Sequence, residues 1–163
     1  MAIALYAGSF DPFHLGHLGL VETATAIFEK VYVAIAGNPD KAGALLPIDA
    51  RVALIAESTP HLVDVEVVVC TGLVALYARS LGVDVLLRGI GKEQRREFEM
   101  AAANEATSGL PTVFLAPAGT TAHLSSSTIR QRFAEHGADA VRDLVPSAVW
   151  HELAKSDPRG ARR

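Results

Sequence analysis

Short runs of almost unbroken aliphatic character punctuate the chain at Ile3–Tyr6, Val31–Ala36, Val65–Val69, Val83–Leu87 and Thr112–Leu115. Runs that are apolar on successive residues, without polar alternation, predict strands covered on both faces. Between and after them lie stretches whose apolar positions recur at helical spacing, at about His17–Glu29, Asp49–Glu57, Leu73–Leu81, Gln94–Ser108, Ser126–His136 and Pro146–Leu153. Strand and helix in steady alternation predict a five-stranded parallel sheet joined by right-handed crossovers, a doubly wound α/β domain. No repeat, low-complexity stretch or linker divides it, so residues 1–154 read as a single domain. The polar segment 155–163 carries a Pro/Gly break and reads as a frayed tail.

Composition narrows the class. The chain has 163 residues, half of them hydrophobic and 20% charged, which suits one globular domain with a core of Val, Leu, Ile and Ala. A formal charge of -3 supplies no basic footprint for nucleic acid, although nucleotide-sized anions can still be held by local groups. The single cysteine, Cys70, closes an apolar run, so it reads as a buried strand residue and no disulfide framework exists. The N-terminus breaks at Gly8 and does not read as a secretory signal, and no apolar stretch approaches the roughly 20 residues of a membrane span. The expected location is the cytoplasm.

Candidate chemistry concentrates after the first strand, in Gly8-Ser9-Phe10-Asp11-Pro12-Phe13-His14-Leu15-Gly16-His17. In a doubly wound sheet, ligands sit at the carboxyl ends of the strands. Gly8 permits close backbone approach, Ser9 offers a hydroxyl, and Asp11-Pro12 turns the chain. The helix starting near Gly16 would aim free N–H groups and its positive dipole end at a phosphate, with Gly16 leaving room for a nucleotide. His14 and His17 lie together at that helix start. Zinc is the other reading of two nearby histidines, but no HExxH pattern or well-spaced third ligand accompanies them.

His14-Leu15-Gly16-His17, placed within GSFDPxHxGH directly after a first strand, resembles the HxGH signature of the nucleotidylyltransferase superfamily. Further segments resemble one branch, the phosphopantetheine adenylyltransferases, from about Ile3 to Leu153. They are Asn38-Pro39-Asp40-Lys41, Arg51-Val52-Ala53-Leu54, Gly72-Leu73-Val74, Arg88-Gly89-Ile90, Glu97-Phe98-Glu99-Met100 and Ser125-Ser126-Ser127. The resemblance implies a Rossmann-like fold, a homohexamer, and transfer of AMP from ATP, with Mg²⁺ on its phosphates, to 4′-phosphopantetheine. It implies that Ser9 and Phe10 contact the nucleotide, with Ser9 also reaching the acceptor, and that His17, joined by His14, serves the α-phosphate. Lys41 and Arg88 would bind the acceptor phosphate, with Val74 on the same side. Gly89, Ile90, Gly91, Glu99 and the segment from Thr121 through Leu124, Ser125 and Ser126 to Ser127 would frame ATP.

The chain departs from that pattern mainly on the acceptor side. His14 stands where the family usually has Thr or Asn, and Gly91 where it has a further arginine, so Lys92, Arg95 and Arg96 become candidates for the missing charge. Small or polar residues around Ala102, Asn104, Glu105 and Ala106 replace an expected Met-Asn pair. Ser126-Ser127-Thr128-Ile129-Arg130 partly resembles the late motif of nicotinate mononucleotide adenylyltransferases. Two alternatives therefore stand beside the main reading: a nucleotidylyltransferase using ATP or CTP on another phosphorylated acceptor, and a nucleotide sensor without turnover.

Overall fold

The computed structural model describes residues 2–37, 43–90, 94–116 and 119–159. Five parallel strands, β1 (Ile3–Gly8), β2 (Lys30–Ala36), β3 (Val65–Cys70), β4 (Val85–Gly89) and β5 (Thr112–Leu115), form one sheet in the order β3-β2-β1-β4-β5. The predicted doubly wound sheet is thus present, and its order reverses between β1 and β4, where such sheets open a crevice.

Helices α1 (Leu15–Thr25), α2 (Ile48–Ser58), α5 (Ser126–His136) and α6 (Ser147–Ser156) cover one face. There Leu20, Ile55, Ile129 and Leu153 pack on Tyr6, Val33, Ile35 and Leu87 of the strands. The other face is a smaller layer, in which Leu5, Ala34 and Leu86 meet Ala78 of α3 (Val74–Ser80). Helix α4 (Gln94–Ser108) is mostly exposed; Arg79 of α3 donates to the Ser108 carbonyl at its end. Cys70 is buried and free. Among the described residues, no helix is long and apolar enough to cross a membrane.

Several boundaries move for identifiable reasons. Helix α1 starts earlier than its apolar spacing suggests because His14 caps it, and stops at Thr25 so that the Glu29 amide can bond the Ala2 carbonyl beside the sheet. Strand β4 begins two residues later than expected, since the Asp84 carboxylate accepts from the Ile3 amide and pairing starts at Val85. The shift carries Arg88 and Gly89 into the strand. The tail is tied down rather than frayed as far as Arg159. Asp157 accepts from the Ala138 amide at 2.7 Å, and Arg159 donates to the last carbonyls of α5, Phe133 and Ala134, at 2.6 and 3.1 Å.

Candidate active site

The loop between β1 and α1 is clamped from below. The Asp11 carboxylate accepts from the Leu45 and Leu46 amides, each at 2.8 Å, and stands 3.5 Å from Arg51 Nε. Arg51 is buried; it donates to the Leu46 carbonyl and, through Nη1, to the Ser9 carbonyl at 3.1 Å. Arg130 donates to the Asp11 carbonyl at 2.6 Å, and the Ser126 hydroxyl to the Pro12 carbonyl at 2.9 Å. Helices α2 and α5 therefore both hold this loop. Phe10 sits at φ 47°, a left-handed conformation maintained by its buried ring, which packs edge-on against Tyr6, Phe13 and His17.

The two motif histidines form a reciprocal cap. His14 Nδ1 accepts from the Gly16 and His17 amides at 3.1 and 3.3 Å, while His17 Nδ1 accepts from the His14 amide at 3.2 Å. Their rings stack, with centroids 3.5 Å apart. Burial pushes the His14 pKa down to about 4, and burial plus the neighbouring His14 holds His17 well below 6.5. Both rings are neutral at pH 7 with the proton on Nε2, as assigned from the bonds at Nδ1. This corrects the expectation that α1 offers free amides to a phosphate, because the Gly16 and His17 N–H groups already bond His14. Gly16 likewise makes room for protein: an added Cβ would lie 3.0 Å from the His14 ring and 3.2 Å from the Thr121 carbonyl. The space above Gly8 belongs to Phe10, whose ring is 3.0 Å from where a Cβ would be.

Two cavities open at the crevice between β1 and β4. The first, about 320 Å³, includes in its lining Ser9, Phe10, His14, His17, Arg88, Gly89 and Ile90. Thr121, Leu124, Ser125 and Ser126 close its far side. The second, about 570 Å³, is more apolar, with Leu73, Val74 and Met100, and with Arg96 and Asn104 also in its lining. Ala7, Gly8, Ser9, Arg88 and Glu97 belong to both linings and form the wall where the cavities meet.

Most of the sequence-predicted residues are thus brought together. Two exceptions stand out. Glu99 lies outside both cavities, on the exposed side of α4, paired with Arg95 at 3.0 Å. Ser127 also lies outside, its hydroxyl accepting from Arg130 at 3.4 Å. The serine hydroxyls are largely spent on the fold, since Ser125 caps α5 by accepting from the Thr128 amide at 3.2 Å. Lys41, Gly91 and Lys92 lie outside the described residues. Of the substitute cations, Arg95 is exposed and Arg96 faces the second cavity only.

Sequence reasoning missed Glu97 as a site residue. Its carboxylate stands 2.9 Å from Arg88 Nε. Burial raises the Tyr6 phenol pKa against the smaller opposing pull of Arg88, so Tyr6 is neutral in the lining of the first cavity. The roles of Asp11, Arg51 and Arg130 were missed as well. The available signal was an arginine set among the apolar positions of α2. Among the described residues no group of three or more His, Cys, Asp or Glu side chains is arranged to hold a metal ion.

A family model described as cytidylyltransferase-like matches residues 5–132. A curated relative from Haemophilus ducreyi, named phosphopantetheine adenylyltransferase, is 42% identical over 152 residues, covering 91% of this chain and 92% of its own. One of the same name from a Picosynechococcus species is 42% identical over 154 residues, covering 93% of this chain and 85% of its own. A solved structure titled as a putative nicotinate-nucleotide adenylyltransferase from Vibrio parahaemolyticus superimposes with a TM-score of 0.66. It has 17% identity and covers 93% of this chain and 97% of its own, a likeness of fold.

Proposed function

The chain belongs to the cytidylyltransferase-like family and, within it, to the phosphopantetheine adenylyltransferases, and from that premise we propose how it moves AMP from ATP onto 4′-phosphopantetheine, giving dephospho-coenzyme A and pyrophosphate. The supporting observation is the pair of cavities that share one wall at Ser9 and Arg88. The first, with the histidine pair and the start of α5, suits a nucleotide and its phosphates. The second, with Arg88 in the shared wall and Leu73, Val74 and Met100 in its lining, suits a phosphorylated acceptor with a long neutral arm.

The reaction is an in-line exchange. An acceptor phosphate oxygen forms a bond to the α-phosphorus, the bond from that phosphorus to the bridging oxygen of the β-phosphate breaks, and pyrophosphate leaves with the electron pair. No protein nucleophile is needed, so catalysis rests on orientation and on donors fixed where charge develops. His17, neutral and carrying its proton on Nε2, donates to the α-phosphate. Arg88 and Lys41 hold the acceptor phosphate, with the arginine presenting a fork and the lysine a point charge. Ser9 stands between the two substrates. The start of α5, with Ser125 and Ser126 in the lining of the first cavity, serves the pyrophosphate end, as helix N-termini favour.

Mg²⁺ enters as part of the substrate, MgATP. The first cavity is lined by hydroxyls, imidazoles and one carboxylate, Glu97, which suits a metal carried mainly by the nucleotide's own phosphates. The ion's contribution is to neutralise charge on the leaving pyrophosphate. The homohexamer implied by the resemblance has its support in the exposed Leu73, Leu76, Phe98 and Met100 of the α3–α4 layer, and light scattering measures it. A cytoplasmic location fits a protein that consumes these substrates.

Pyrophosphate release with MgATP and 4′-phosphopantetheine, run beside CTP, nicotinate mononucleotide and no-acceptor controls, tests the reading. Acceptor-dependent release specific to phosphopantetheine is expected. Turnover only with another acceptor, or ATP binding without turnover, would overturn it.

A further inference from the structure

The wall common to both cavities contains a carboxylate where two anionic substrates must meet. Glu97 Oε2 is 2.9 Å from Arg88 Nε, yet Nε has no acceptor aligned with its N–H, so charge and not a directed hydrogen bond holds the pair. The other guanidinium contacts are weak. Nη1 reaches the Ala7 carbonyl at 3.3 Å, and Nη2 reaches the Met100 sulfur at 3.2 Å. Side-chain exposures of 20% for Arg88 and 26% for Glu97 leave both side chains partly exposed, although Arg88 Nε itself is buried. Tyr6, beside them, is a buried neutral phenol and supplies no counter-charge.

We propose that Glu97 is a displaceable counter-ion of Arg88 and thereby a specificity-determining residue for the acceptor, a reading that rests on the assignment of the second cavity to that substrate. In the empty enzyme the carboxylate neutralises the guanidinium. A phosphate arriving through the second cavity takes Arg88 by a two-pronged contact that a misaligned carboxylate cannot match. Displacing Glu97 leaves a negative charge beside the new phosphate, and that cost must be offset. The acceptor offsets it with the contacts of its neutral arm against Leu73, Val74 and Met100. Inorganic phosphate has no such arm, and the phosphates of ATP, held in the first cavity, approach the same carboxylate from its other side. Glu97 thus keeps Arg88 for a ligand that fills the second cavity.

Glu97→Gln keeps a carbonyl oxygen near Arg88 and removes the charge. Inorganic phosphate, titrated calorimetrically against wild-type and variant protein, is expected to bind the variant about fivefold more tightly, the effect of one partly exposed charge. Its inhibition constant against the acceptor should fall by a similar factor, the acceptor KM by less, and the ATP KM by no more than about twofold. Glu97→Asp, which retains the charge, should stay near wild type. Unchanged or weaker phosphate binding in the glutamine variant, or equal tightening in Glu97→Asp, would overturn the proposal. If the glutamine variant fails to fold, Glu97→Ala removes the same charge and gives the same reading. The phosphate titration needs no turnover, so the two ideas fail separately. Tighter phosphate binding without phosphopantetheine turnover would leave the counter-ion and sink the acceptor assignment; turnover with unchanged phosphate affinity would do the reverse.

Discussion

His14 and His17 cap each other's backbone. Each Nδ1 accepts an amide proton across the first turn of α1, and the rings stack at 3.5 Å. The arrangement fixes both tautomers and leaves Nε2–H as the only donor of each ring. It also explains a departure from the family pattern. Thr and Asn, usual at the position of His14, are good helix N-caps, and His14 performs the same task with a ring nitrogen.

The donor role proposed for His17 predicts a loss in turnover. His17→Ala should lower kcat about 10²–10³-fold, the size of one lost oxyanion donor, with a smaller change in the ATP KM. His17→Asn, which retains a neutral N–H donor, should recover part of the loss. Steady-state kinetics of the two variants decide it; near-normal turnover in His17→Ala would remove the assignment.

The cap predicts a different profile for His14. His14→Ala should cost about 1 kcal/mol by leaving the Gly16 and His17 amides unpaired, whereas His14→Asn and His14→Thr should unfold within a few tenths of a kcal/mol of wild type. Urea denaturation of the three variants measures this. If alanine and asparagine are equally stable, the ring is not acting as a cap.

Acid should act through the same pair. The His14 pKa is about 4 in the fold against an ordinary value of 6.5, so the unfolded chain takes up a proton at higher pH than the native one. Stability from this group is therefore present above 6.5 and lost as pH falls from there toward 4; His17 adds in the same direction. Long-range nitrogen–proton NMR should show both rings neutral and unchanged from pH 8 to pH 6. A midpoint near 6.5 for either would contradict their burial.

The sheet was legible because parallel strands covered on both faces read as unbroken aliphatic runs, and the convergence of residues on the candidate site was legible where residue type and position coincide, at the β1–α1 loop and at Arg88. Facing was not legible. Glu97 and Glu99 are two apart on α4, roughly 200° around the helix, so only one can enter a given cavity. Residue type cannot choose between them, and the family pattern pointed to Glu99, whereas Glu97 enters the wall. The glycines were only half legible for a related reason, although both line the first cavity. A missing side chain shows that space is needed without showing what fills it, and at Gly8 and Gly16 protein rings fill it. Arg51 stood in a segment resembling the family without a role, which its burial and its bond to the Ser9 carbonyl supply.

That buried arginine sets a last prediction. Asp11 meets two amides and Arg51 at once, so Asp11→Ala strands the Leu45 and Leu46 N–H groups and leaves a buried guanidinium without its counter-charge. Removing one partner of a buried pair costs about 3–5 kcal/mol. Asp11→Asn should cost less, because its one oxygen can serve one of the two amides while its NH2 opposes the other. Asp11→Ala combined with Arg51→Met should cost less than the sum of the single changes, since the uncompensated charge goes with the arginine. The loop holding Ser9 hangs on this network through the Ser9 carbonyl, so the variants should also lose turnover at temperatures where they remain folded. Urea melts paired with kinetics at 15 °C separate the two effects. Additive stability losses with unchanged kcat would show that the pair neither couples nor positions the loop.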